Sequence, residues 1–276
     1  MADVVADNER IHDRIHGSYE QEHEEIFNDR EQTRLRDSVA RALSYATALS
    51  PPQKALDYGC GSGNLTRHLL DSGLHVTSAD VSGRFLDLIS ERFGHTGRLT
   101  TLKISGRDVD NIEKGVYDFV GTYSVLHHIP DYLQATAELS ELVKPGGVLY
   151  LDHEVNEHYW NQSSAYQEFS RLVRLEEPGR WRRFFTPSKY VNKLKELPLA
   201  YRRLKDPRYM PEGDLHVWPD DHIEWDKIEA ALIARGYRIV MKQDYLLFRK
   251  SYPVDLYERY QGRCSDMRLL VAKRIT

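Results

Sequence analysis

Two groups of residues in this 276-residue chain have types and spacing suited to chemistry. The first is a glycine loop, Leu56-Asp57-Tyr58-Gly59-Cys60-Gly61-Ser62-Gly63-Asn64, with an acid, Asp80, about 20 residues further on. Glycine is needed where a chain turns sharply and where backbone must approach a ligand closely. A helix opening at such a loop points free N–H groups at that ligand. A carboxylate at the tip of the next strand is placed to grip a ribose diol. The second group is His127, His128, His153 and Glu154. Histidine or carboxylate near a bound acceptor can take its proton. A dinucleotide fingerprint calls for a small residue at position 64, where Asn64 stands. Asp57, just ahead of the glycines, suits a cationic ligand group better than a pyrophosphate, because opposite charges attract strongly in a partly dry site.

These residues need elements to hold them. Leu35, Val39, Leu43, Ala46 and Leu49 recur at helical spacing over 31–50, and Ser50-Pro51-Pro52 stops that helix. Short apolar runs at Lys54–Tyr58, His75–Ala79, Leu99–Ser105, Tyr117–Thr122 and Val148–Asp152 read as strands. Between them, Asn64–Ser72, Phe85–Phe93 and Asp131–Val143 carry helical periodicity, the last ended by Lys144-Pro145-Gly146-Gly147. Strands alternating with helices imply a parallel sheet covered on both faces. The alternation breaks over 156–222 and resumes with a helix at Trp225–Arg235 and strands at Tyr237–Lys242 and Leu269–Lys273. An insertion at the carboxyl side of such a sheet is where α/β proteins cover their ligands. The expected organisation is a helical cap at 1–50, an α/β core at 51–155, a lid insertion at 156–222 and completion of the core at 223–276.

The ordered motifs resemble those of the class I S-adenosylmethionine-dependent methyltransferases. Asp57–Gly63 is similar to their first motif, and Asp80 to the acid that meets the ribose. Asp108, in Gly106-Arg107-Asp108-Val109, is similar to the residue at the adenine amino group. Tyr117–Asp131 and Leu142–Leu149 are similar to the fourth-strand motif and the turn before the fifth strand. The resemblance covers 54–153 well and 224–273 loosely. It implies a doubly wound, mostly parallel seven-stranded sheet of Rossmann-like type. It also implies S-adenosylmethionine as cofactor, held by Asp57, Gly59, Cys60, Gly61, Asp80, Val81, Asp108, Val109 and Tyr123, with Tyr19 packing over it from the N-terminal segment. His153, Glu154 and His128 are then candidate catalytic groups. The same fold and cofactor would also serve a decarboxylase, a cyclase, a binding module or an RNA methyltransferase.

Composition narrows the rest. With 41% hydrophobic and 29% charged residues the chain reads as globular and not as disordered. A formal charge of −4 argues neither for nor against nucleic acid, but no appended basic module is visible, so a small-molecule acceptor is expected. Residues 171–210 carry twelve Lys/Arg against four Asp/Glu, and Trp181-Arg182-Arg183-Phe184-Phe185 mixes guanidinium groups with aromatic faces. That mixture suits a carboxylate or phosphate on a partly apolar substrate. Leu215–His222 holds His and Asp without metal-ligand spacing, so no metal is expected. Two cysteines, Cys60 and Cys264, make no disulfide framework. No long apolar run and no signal-like start are present, which fits a cytoplasmic setting.

Overall fold

The computed structural model describes residue 9 and residues 23–47, 53–176 and 223–276. Helix α1 (Asp29–Tyr45) starts at Asn28, whose Oδ1 accepts the Glu31 N–H at 3.0 Å. It ends earlier than its apolar stripe suggests. Ala46 turns extended, and Thr47 donates its N–H to Gly146 O at 3.0 Å, drawing the chain to the sheet.

Five strands follow, with a helix in every connection but that from β3 to β4: β1 (Lys54–Tyr58), α2 (Asn64–Asp71), β2 (His75–Asp80), α3 (Gly83–Phe93), β3 (Leu99–Lys103), β4 (Tyr117–Tyr123), α4 (Tyr132–Leu142) and β5 (Val143–Val155). After β5 come α5 (Glu157–Trp160), α6 (Ser164–Glu176), α7 (Trp225–Ala234), β6 (Tyr237–Tyr245), α8 (Val254–Tyr260) and β7 (Met267–Arg274). The sheet order is β3-β2-β1-β4-β5-β7-β6. The first five strands pair in parallel, while β7 runs antiparallel to both β5 and β6. This is the doubly wound, mostly parallel seven-stranded sheet of the Rossmann-like class.

Each face of the sheet carries its own core. On one, Leu139 and Leu142 of α4 and Ile228 and Leu232 of α7 pack on Leu56, Val120 and Leu149. On the other, Leu35, Val39 and Ala42 of α1 and Leu65 and Leu69 of α2 pack on Ala55, Phe119 and Tyr150. Strand β4 is buried along its whole length, as a central parallel strand must be.

Further boundaries differ from expectation, each for a local reason. Strand β5 starts at Val143, opposite Tyr117, because the Lys144–Gly147 turn is a bulge inside the ladder. Strands β6 and β7 run longer than their apolar cores, being tied to one another through Tyr245 and Met267. Within 156–222, Phe169 and Val173 of α6 dock on Leu246, Leu256, Tyr257 and Tyr260, so part of this stretch is helical and anchored on α8. Helix α8 itself begins directly after Pro253, a residue suited to helix starts. The remainder of the proposed lid, with Trp181–Phe185 and Leu215–His222, lies outside the described residues, as does Tyr19.

Candidate functional site

Above the carboxyl ends of β1, β2 and β4 opens a concave cleft, the usual shape of a small-ligand site. Its walls include Asp57, Gly59, Cys60, Gly61, Asp80, Val81, Tyr123 and His128. Asp108 and Val109 line an adjoining hollow that shares Tyr58, Gly106 and Ile129 with it. The sequence thus brings eight of the candidates into one space and two into its annex. His153 and Glu154 stand outside its lining.

The glycine loop folds tightly. Gly59 and Cys60 donate their N–H groups to Ala79 O at 2.8 and 3.1 Å, binding β1's end to β2. Gly61 donates to Asp80 Oδ2 at 2.9 Å, and Ser82 to Asp80 Oδ1 at 2.8 Å. The second acid is therefore held by the loop it follows. At Gly61 the backbone has a positive φ of 48°, and an added Cβ would meet nothing within 4 Å. At Gly59 an added Cβ would strike Val125 at 2.7 Å. One glycine leaves room beside the backbone; the other lets two loops touch.

Three polar side-chain atoms on this wall are buried without a hydrogen-bond partner: Asp57 Oδ1, Ser62 Oγ and Asn64 Nδ2. An unsatisfied buried polar group is costly, which marks the place where a ligand belongs. Asp57 Oδ2 accepts from Thr66 Oγ1 at 2.6 Å, and burial pushes its carboxyl up to about 7. Among the described residues the charged lining is Asp57 and Asp80 alone. An acceptor at Asp57 beside a hydroxyl and an amide donor matches an amino acid's ammonium and carboxylate. These residues fit the methionyl end of an adenosyl sulfonium, and Asp80 fits its sugar.

Helix α1 supplies residues that the sequence did not single out. Ile26 and Phe27, just ahead of it, line the cleft. Gln32 donates to Ile26 O and to Asn64 Oδ1, both at 2.8 Å, pinning that cover to the start of α2. Arg34 forks onto Glu31 at 2.9 and 2.6 Å and reaches Asp152 Oδ2 at 2.8 Å. Glu31 Oε1 also accepts from Tyr123 at 2.8 Å, and Asp152 Oδ1 from Tyr245 at 3.1 Å. Two buried carboxylates thus share one guanidinium. The available signal was Glu31 and Arg34 one helical turn below Leu35 and Ser38, on the face that must be buried.

At the ends of β4 and β5 sit the two described non-glycine residues with left-handed backbone, Ser124 (φ 61°) and His153 (φ 63°). Such conformations cluster where function demands them. The His153 ring stacks on Tyr123 with centroids 4.7 Å apart. Neither of its ring nitrogens has a hydrogen-bond partner, and burial lowers it to about 3, so it is a neutral imidazole. Glu154 is spent otherwise: it accepts from Val125 N, Leu126 N and His127 Nδ1 at 2.8, 2.7 and 2.8 Å.

Among the described residues, one group could place metal ligands together: Glu157, His158 and Asp244, all exposed. The Arg268 guanidinium already bridges Glu157 and Asp244 at 2.9 and 2.6 Å. No described helix is long and apolar enough to cross a membrane.

Residues 56–149 match a family described as a methyltransferase domain. The ubiquinone biosynthesis O-methyltransferase of Marinobacter nauticus is 28% identical over 166 residues, 58% of this chain and 68% of that one. A highly reducing polyketide synthase of Phaeosphaeria nodorum is 29% identical over 152 residues, which make up 52% of this chain and 5% of the synthase. This chain therefore spans only a small part of that relative. Among solved structures, an S-adenosylmethionine-dependent methyltransferase from Mesorhizobium loti shares the fold, with a TM-score of 0.51 at 17% identity, covering 85% of this chain and 96% of that one. The geranyl diphosphate C-methyltransferase of Streptomyces coelicolor A3(2) does so with a TM-score of 0.50 at 15% identity, covering 88% and 80%. Residues 56–149, which hold the glycine loop and the paired acid, thus match a methyltransferase domain, and the chain shares its fold with S-adenosylmethionine-dependent methyltransferases.

Proposed function

We propose that the whole chain transfers a methyl group from S-adenosylmethionine to an oxygen or nitrogen of a small polar or anionic metabolite. The observation that carries this reading is the trio of unpartnered atoms, Asp57 Oδ1, Ser62 Oγ and Asn64 Nδ2, on the wall of the cleft where Gly61 leaves its backbone bare. When bound, the cofactor supplies an electrophilic methyl group on a sulfonium, the hard part of the chemistry. The chain's own residues bind and align.

In this reading Asp57 takes the ammonium, and Ser62 and Asn64 take the carboxylate. Asp80 holds the sugar hydroxyls on the lone pairs left by Gly61 and Ser82. Val81 and Val109 face the base, and Asp108 its amino group. Cys60 stays a buried, inert thiol, packed on Leu86 and Ile89. His128 and Tyr123 close the methionyl end, and Tyr19 covers it from the N-terminal segment. The cap at 1–50 and the lid at 156–222 complete the site around the core at 51–155 and 223–276.

His153, stacked on the cleft residue Tyr123 but not itself on the described lining, is the residue we assign to the acceptor. A neutral buried imidazole has one acceptor nitrogen, which takes a hydrogen bond from a hydroxyl or amine and so turns that group's own lone pair toward the methyl group. Alignment accounts for most of the rate, and an imidazole held near 3 contributes to that alignment, being too weak a base to remove the proton at neutral pH. The enzymatic test is transfer of label from methyl-labelled cofactor to a panel of phenols, hydroxy acids and amines. Label appearing in a small acceptor supports the reading. Label that leaves the cofactor only in the presence of RNA, or never leaves it, overturns it.

A further inference from the structure

We infer that Glu154 is a positioning residue, clamping the Ser124–His128 loop of β4 against the glycine loop. The inference rests on reading the cleft as the cofactor site. Glu154 lies on β5 just beyond the bulge at Leu151 and is 1% exposed. Both of its oxygens are committed. Oε1 accepts two successive backbone N–H groups, from Val125 at 2.8 Å and Leu126 at 2.7 Å, and Oε2 faces His127 Nδ1 at 2.8 Å. It does not line the cleft, so it has neither the place nor a vacant lone pair directed there to act as a base.

Of the loop it holds at Val125, Leu126 and His127, the residues Ser124, Val125, His128 and Ile129 line the cleft. Ser124 enters this loop with left-handed backbone, and its N–H goes to Asp152 O at 3.0 Å. A conformation of that kind persists only where its surroundings fix it. Two charge-assisted bonds to the next two amides do so. The loop then transmits the position onward, because Val125 presses on Gly59, where an added Cβ would come within 2.7 Å. The chain of contact runs from Glu154 through Val125 to Gly59. The carboxylate also fixes a proton: His127 donates from Nδ1 to Glu154 Oε2.

Three proteins separate this from a merely structural or a catalytic role: the full chain and its Glu154→Gln and Glu154→Ala variants. Each is titrated calorimetrically with S-adenosylhomocysteine, and the imidazole nitrogens of His127 are followed by ¹⁵N NMR. Glutamine keeps an oxygen for both amides but presents N–H to His127, so affinity stays within about threefold of the parent while Nδ1 of His127 loses its proton. Alanine leaves two buried amides unpaired, and affinity falls at least tenfold, as when groups that orient ligands are lost. The inference is overturned if the alanine variant binds as the parent does, or if His127 keeps its tautomer in the glutamine variant. Should the alanine variant fail to fold, the glutamine variant decides by its tautomer. If the parent itself takes up no ligand, the cofactor reading fails, while the tautomer still decides the clamp.

Discussion

At the scale of single residues, the site is a set of polar atoms kept dry and incomplete. Asp57 is the clearest case. Burial raises its carboxyl to about 7, and Thr66 occupies one oxygen. An arriving ammonium needs the ionised form, so the proton must leave as the ligand binds. Cofactor affinity should therefore weaken as pH falls below about 7 and level off above it. Calorimetric titrations between pH 5.5 and 8.5 would read this, with proton release visible in buffers of different ionisation heat. An Asp57→Asn variant should bind more weakly and lose the pH dependence. His153 makes the complementary prediction. Held near 3 by burial, it orients the acceptor and is too weak a base to take its proton at neutral pH, so its Gln variant should lower kcat by about tenfold while cofactor affinity holds, as measured by steady-state kinetics beside calorimetry. Equal kcat in the two proteins would remove His153 from the chemistry.

At the scale of elements, α1 is fastened to the sheet by charge as well as by its apolar stripe. Arg34 bridges Glu31 on the helix and Asp152 on β5, and its guanidinium stacks over Tyr245 of β6 at 3.9 Å. Removing one partner of a buried ion pair leaves charge uncompensated. Arg34→Ala should cost about 3–5 kcal/mol in chemical denaturation, and more than Leu35→Ala if both carboxylates stay ionised. The elements differ in how far their residues announced them. The βα alternation, the glycine loop and Asp80 were legible because each obeys a local rule: period, turn chemistry, or a carboxylate at a strand tip. The α1 network was not, because Glu31, Arg34, Asp152 and Tyr245 come from three elements and only the fold brings them together. Helix α6 was missed because its aromatic face is answered by α8, far along the chain. Glu154 was legible as a residue near the site but not as a clamp, since its partners are backbone amides that carry no sequence signal.

At the scale of the whole molecule, burial sets how stability answers to acid. His153 and His68 sit at about 3 and about 4, below the ordinary 6.5, so their contribution is present above 6.5 and is lost as pH falls toward those values. Asp57 and Asp266 sit at about 7 and about 6, above 3.8, and act in the opposite sense over much of the same window. The melting temperature should therefore change little between pH 6.5 and 4, and in His153→Phe it should rise toward acid relative to the parent, by differential scanning fluorimetry. Whether the cleft is the cofactor site is decided by titrating the full chain with S-adenosylhomocysteine beside its Asp80→Asn variant. The parent should give saturable heat at one ligand per chain and the variant should lose at least tenfold in affinity, since both hydroxyls of the sugar lose a charged acceptor. No heat with the parent chain, or equal affinity in the two proteins, would contradict that assignment.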